Sequence, residues 1–204
     1  SATQQATKFI KARLPKFMYV SSYDRMDGTV QFEQIGQLKN QNALDSDENR
    51  GKKLFLEFLQ YAGISLDELL KQKTYETYNA LLQAASNKIT DQILEYWTQN
   101  PDLSVEVKVA AGMPGDPAPF NQGTVARARI YNSLHRVDTP FSERSAGFVW
   151  FFSFLVKFAQ VKNETNPVIL LLDAPGLTLH GKAQADLLRF FKEKLAPHHQ
   201  VIYS

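Results

Sequence analysis

The sequence predicts an α/β fold: parallel core strands with crossover helices, an antiparallel strand region, and a helical insertion at 48–100. Three observations carry this. Val168-Ile-Leu-Leu-Leu-Asp173 is an unbroken apolar run that ends in an acid and a Pro-Gly turn, the form of a strand buried on both faces of a parallel sheet. Around it the signals alternate as helix 146–160, strand 168–172, helix 181–195 and strand 200–204, and two strands joined by one helix make a parallel crossover. Ser104–Val109 and Val125–Ile130 instead alternate cleanly between apolar and polar residues, as half-buried strands do.

Each element has its own reason. Phe17–Val20 and Thr29–Glu33 read as short strands around a turn at Asp27-Gly28. Residues 39–53 cluster Lys, Asn, Asp and Glu and read as a solvated linker or a helix lead-in. Leu54, Phe55, Phe58 and Leu59 form one apolar helix face. Ser65 and Glu68 have capping-box spacing before Leu69 and Leu70. Tyr75, Tyr78, Leu82, Ala85, Ile89, Ile93 and Trp97 step by three and four, which predicts a long amphipathic helix ended by Asn100-Pro101. Gly112, Pro114, Gly115, Pro117, Pro119 and Gly123 make 110–123 a loop. Phe148–Phe158 is shorter than the ~20 residues a membrane-spanning helix needs. It is also interrupted by Ser153 and Lys157, so it reads as a buried helix. The expected organisation is a core of 1–47 and 101–204 with 48–100 inserted.

Composition bounds the function loosely. The chain has 204 residues, 44% hydrophobic and 22% charged, as a globular domain does. Its 23 basic and 21 acidic residues, net +2, neither demand nor exclude a nucleic-acid partner. The absence of cysteine removes disulfides, zinc thiolates and thiol catalysis. The opening residues are polar and basic, with no signal-peptide pattern and no membrane segment, so the expected location is cytoplasmic. A start at Ser1 and a strand-like Val201-Ile-Tyr-Ser204 at the other end suggest part of a longer protein.

Three places could carry chemistry. Asp173 stands where a parallel strand presents one carboxylate to the sheet edge, suited to Mg²⁺ beside a nucleotide's phosphates or, more plainly, to capping the turn. Ser145 and Gly147 open the apolar helix. There, unpaired N–H groups and the positive end of the dipole suit an anion, although an ordinary serine N-cap has the same form. Arg127 and Arg129 share one strand face near His135 and Arg136, and could meet DNA phosphates or simply face solvent. His135, His180, His198 and His199 show no zinc spacing, and His198-His199 reads as a solvated loop. No Gly-x-Ser-x-Gly elbow is present. Trp150, Phe151, Phe152 and Phe154 read as core.

Together these segments resemble the C-terminal portion of an ABC-type ATPase head of the OLD/RecF/SMC-like branch. Glu143-Arg-Ser-Ala-Gly-Phe148 before an aromatic helix resembles that branch's signature motif. Leu170-Leu-Leu-Asp-Ala-Pro-Gly-Leu-Thr-Leu-His180 resembles its Walker B strand, usually written Asp-Glu-Pro-Gly-Leu-x-Leu-His. Leu177 to His180 fall where the D-loop lies, and Val201–Ser204 resemble the strand before the switch histidine. The resemblance implies a head that binds ATP and Mg²⁺ and pairs with a second copy or a related head. Arg144, Ser145 and Gly147 would then meet the partner's nucleotide, and Asp173 would serve Mg²⁺ in its own subunit. It further implies a DNA repair or anti-phage setting, DNA as a partner, and an associated nuclease domain or subunit. Ala174 occupies the expected general-base glutamate position, so no catalytic residue is assigned. It is either natural, in a head that binds ATP without turning it over, or a substitution that traps ATP. The Walker A loop is expected upstream of residue 1 and the switch histidine after Ser204, so these residues alone are expected to be inactive.

Overall fold

The computed structural model describes residues 2–11, 14–71, 74–161 and 168–204. Helix α1 (Ala2–Lys11) leads to strand β1 (Lys16–Ser21), and β2 (Thr29–Gln31) runs into α2 (Phe32–Asn40). A single 3₁₀ turn at Asp47–Asn49 precedes α3 (Arg50–Tyr61), a one-turn α4 (Leu66–Leu69) and α5 (Glu76–Tyr96). Strands β3 (Leu103–Ala111), β4 (Thr124–Asn132) and β5 (Val137–Pro140) follow. The last third is α6 (Ala146–Ala159), β6 (Val168–Asp173), α7 (Gly181–Phe190) with a π-helical end at Phe191–Leu195, and β7 (Gln200–Tyr203).

The strands form two sheets. β1, β6 and β7 are parallel with β6 in the middle, in the register Tyr19–Leu171–Ile202. β4 pairs antiparallel with β3 along its whole length, and β2 and β5 share its other edge. The mixed α/β class and both kinds of sheet match the sequence expectation. One pairing does not: β1 and β2 flank no common turn but belong to different sheets, because β1 finds its partner in β6, near the other end of the chain. The alternation of Thr29–Glu33 also stops early. Phe32 and Glu33 begin α2, whose N-cap Gln31 accepts the Gln34 N–H at 3.1 Å.

The helices follow their apolar periodicity. In α5, Leu82, Ala85, Ile89 and Ile93 are buried, and the helix packs on β3. Asn79 satisfies both polar groups of Val109 (2.7 and 3.1 Å) and Thr90 accepts the Val105 N–H at 3.2 Å, so helix side chains cover the outer edge of β3. The helix ends at Tyr96, four residues before Asn100, and Arg189 caps its last carbonyls at Glu95 and Tyr96. The Ser65–Glu68 capping box does not form: Ser65 is the N-cap, but its hydroxyl makes no capping bond to so short a helix. α6 is buried at every position from Gly147 to Val156, as its unbroken apolar sequence requires. Its aromatic rings meet Phe58, Trp97 and Phe190 edge-on or tilted at 5.6–6.5 Å. The helices of 48–100 thus share one core with the two sheets.

Among the described residues no helix is long and apolar enough to cross a membrane.

Candidate functional site

The carboxyl end of the parallel sheet gathers residues from all three of its strands. β6 ends at Asp173, level with Ser21 of β1. The next residue leaves the sheet in a left-handed conformation, Ala174 with φ 46°. Two short turns follow, closed by Leu177 N–H to Ala174 O (3.1 Å) and Leu179 N–H to Gly176 O (3.0 Å), and they deliver the chain to His180, the N-cap of α7. A single acid therefore stands exposed at the place where open parallel sheets meet ligands.

Asp173 is not free in its orientation. Tyr19, on the neighbouring strand β1, donates its hydroxyl to Oδ2 at 3.0 Å, and Ser204, just past β7, reaches Oδ1 at 3.5 Å. The Ser204 hydroxyl also accepts the Ala174 N–H at 3.0 Å. The hydrogen bond to Asp173 is the foremost reason the Tyr19 phenol is held above its ordinary pKa. One exposed carboxylate of this kind suits Mg²⁺, which keeps several waters and takes only one or two protein carboxylates beside phosphate oxygens. It would not suit a metal needing a full protein cage. Among the described residues no three His, Asp or Glu side chains converge on one point.

The helix start at 144–148 lies against this turn. Ser145 is exposed and caps α6, accepting the Phe148 N–H at 3.4 Å, and Arg144 beside it is partly exposed in extended backbone. Gly147 is buried, and a β-carbon there would stand 2.4 Å from Leu179 Cδ2 and 3.0 Å from the Thr178 carbonyl. Its missing side chain makes room for the turn after Asp173. Leu177 and His180 are exposed on that same turn. The structure thus packs the helix start at Gly147 against the turn at Thr178 and Leu179.

A second polar centre, absent from the sequence reading, lies beneath the end of β1. Asp24 is buried, accepts the Ser21 N–H at 3.0 Å, and pairs with Lys157 at 2.9 Å and Arg50 at 3.6 Å. Arg50 also donates to the Ser21 hydroxyl, and the Trp150 indole N–H donates to the Ser21 carbonyl at 2.8 Å. Glu57 lies close enough to feel the Lys157 charge, yet burial dominates and pushes its carboxyl up. The signal was one charge, Lys157, inside an otherwise apolar helix: a half-buried cation against a core is best held by a partner.

The remaining candidates resolve simply. Arg127 is paired with Asp116, and Arg129 with Asp138 at 2.6 Å, so both cations on that strand face are neutralised by local acids. His135 and Arg136 sit exposed in the β4–β5 turn. His199 is not a solvated loop residue: its Nδ1 accepts the Val168 N–H at 3.3 Å, its ring meets Phe158 at 5.5 Å, and burial lowers its pKa.

No family model matches the chain, and no curated protein matches it. Solved structures similar to it include two Smc head domains. One is the Smc head domain with an extended coiled coil bound to the C-terminal domain of ScpA from Pyrococcus furiosus, at 14% identity and a TM-score of 0.37. The other is the Smc head domain with a coiled coil and joint from Pyrococcus yayanosii, at 15% identity and a TM-score of 0.37. The first likeness covers 85% of this chain and 40% of that one, and the second 83% and 30%. The chain therefore spans less than half the length of either structure.

Proposed function

We propose that this chain is part of an ATP-binding head of the ABC type, with 1–47 and 101–204 as its ATPase core and 48–100 as an insertion sharing that core. The carrying observation is the placement of Asp173. A lone carboxylate at the carboxyl edge of a parallel sheet, oriented by the Tyr19 hydroxyl on β1 and flanked by Ser204 just past β7, suits the Mg²⁺ of a bound nucleotide. The Ser145 helix start, exposed beside the following turn, supports a role for Arg144 and Ser145 toward the phosphates of a nucleotide held by a second head. Leu177 and His180, exposed on that turn, would lie at the same junction. The head would pair with a second copy or a related head in a DNA-directed system of repair or defence, with or without an associated nuclease.

Ala174 favours a second reading, an ATP-binding or scaffolding module without turnover. No carboxylate follows Asp173 to orient water, and loss of such a group costs about 10²–10⁴-fold in rate.

One series of experiments tests both readings in the intact protein. Sedimentation with ATP and Mg²⁺ should show self-association that Ser145→Arg abolishes, and sedimentation unchanged by ATP would sink the head reading. Phosphate release should rise on Ala174→Glu if the site is otherwise competent. ATP-driven association without any such gain would favour the scaffold.

A further inference from the structure

Asp173 has two hydroxyl neighbours of unequal strength. Tyr19 holds Oδ2 at 3.0 Å, a normal hydrogen bond, whereas Ser204 stands 3.5 Å from Oδ1 and already accepts the Ala174 N–H at 3.0 Å. A carboxylate offers about four lone-pair positions. Tyr19 occupies one on Oδ2, and Oδ1 is left only weakly engaged. Tyr19 is itself anchored through β1, whose backbone pairs with β6 at Tyr19–Leu171 and Ser21–Asp173, so its hydroxyl arrives from a fixed direction.

We propose that Tyr19 is the positioning residue of this site: its hydroxyl fixes the Asp173 carboxylate so that Oδ1 faces a hydrated divalent cation. The inference rests on the reading of Asp173 as the metal carboxylate of a nucleotide site. Tyr19 touches the ligand and not the metal. Groups in that position set the ligand's orientation, and their loss typically costs about 10–100-fold in metal affinity. Ser204 is secondary, a link that ties the left-handed residue after the strand to the same carboxylate.

Paramagnetic broadening of backbone amide signals by MnCl₂ tests this without requiring turnover or tight binding. In the wild-type chain, Mn²⁺ well below stoichiometry should broaden the amides of Asp173, Ala174 and Ser204. Asp173→Ala should remove that broadening. Tyr19→Phe should need about tenfold more Mn²⁺ for the same effect, with the remaining spectrum and the melting temperature unchanged. Tyr19 is exposed and the substitution removes one oxygen, so the fold is retained. Equal broadening in wild type and Tyr19→Phe, together with its loss in Asp173→Ala, overturns the positioning role and leaves the metal reading standing. Broadening that survives Asp173→Ala, or none in the wild type, overturns the metal reading and this inference with it.

Discussion

The two sheets handle their outward faces in opposite ways. On the antiparallel sheet, Val105, Val107, Ala128 and Ile130 point into the core, while Glu106, Lys108, Arg127 and Arg129 point out and are ion-paired. On the parallel sheet, Met18, Val20, Leu170 and Leu172 point in, and the outward face is also apolar: Phe17 is 62% exposed, Tyr19 52% and Ile202 50%, around half-buried Ile169 and Leu171. Parallel sheets are ordinarily covered on both faces. Ser21, Asp173 and Ser204 gather at its carboxyl end, while Lys16 and Gln200 are its polar residues at the opposite end. The antiparallel sheet is therefore a self-sufficient wall, and the parallel sheet concentrates its chemistry at one rim.

Substitutions on the two faces of the parallel sheet should show the largest contrast. Leu170→Ala empties a fully buried position and should cost about 2–5 kcal/mol in urea unfolding. Phe17→Ala, on the outward face, should cost less than about 1 kcal/mol. Equal losses would mean that the outward face is packed.

Ion pairs sharpen the contrast next. Lys157→Met leaves Asp24 buried with only the more distant Arg50, and should cost about 3 kcal/mol. Arg129→Met breaks an exposed pair with Asp138 and should cost about 0–1 kcal/mol by the same measurement. Similar values for the two would deny the buried centre beneath β1 its structural role.

Gly147→Ala should cost about 1–3 kcal/mol, because the new methyl group meets Leu179 and the Thr178 carbonyl. Combined with Leu179→Ala, the total should fall below the sum of the single losses. Strict additivity would show that the helix start and the turn after Asp173 do not press on each other.

The smallest effect is a pH dependence at the other end of β6. His199 is depressed by burial, so its neutral form is favoured in the folded state. Its contribution is complete above the ordinary histidine value and is lost as pH falls through the lowered one. Asp27 and Glu57, raised by burial, act in the opposite sense, gaining toward acid. The melting-temperature difference between wild type and His199→Asn should therefore narrow from pH 7.5 to pH 5. A constant difference would remove His199 from the pH response.

What the sequence disclosed was local. The apolar run into Asp173 and the unbroken apolar helix after Ser145 mark β6 and α6 because periodicity and turn chemistry act within a few residues. What stayed hidden was separated in the chain. No neighbouring residue reveals that Tyr19 meets Asp173 across 154 positions, or that β1 pairs with β6 and not β2. Gly147 was half legible for the same reason. A glycine at a helix start signals close approach, but which body approaches depends on where Leu179 lands. Lys157 was visible as an anomaly, and its partner Asp24 was not.

The left-handed backbone at residue 174 separates folding from chemistry at that position. The conformation is imposed by the turn; glycine, Asn and Asp adopt it most readily, β-branched residues least, and Ala and Glu lie together between them. The Ala174 N–H bond to Ser204 comes from the main chain, which any side chain other than proline would leave in place. A methyl group and a longer acid would therefore inherit nearly the same backbone. One codon at this point can change what the rim does to a bound molecule while the architecture around it stays almost blind to the exchange.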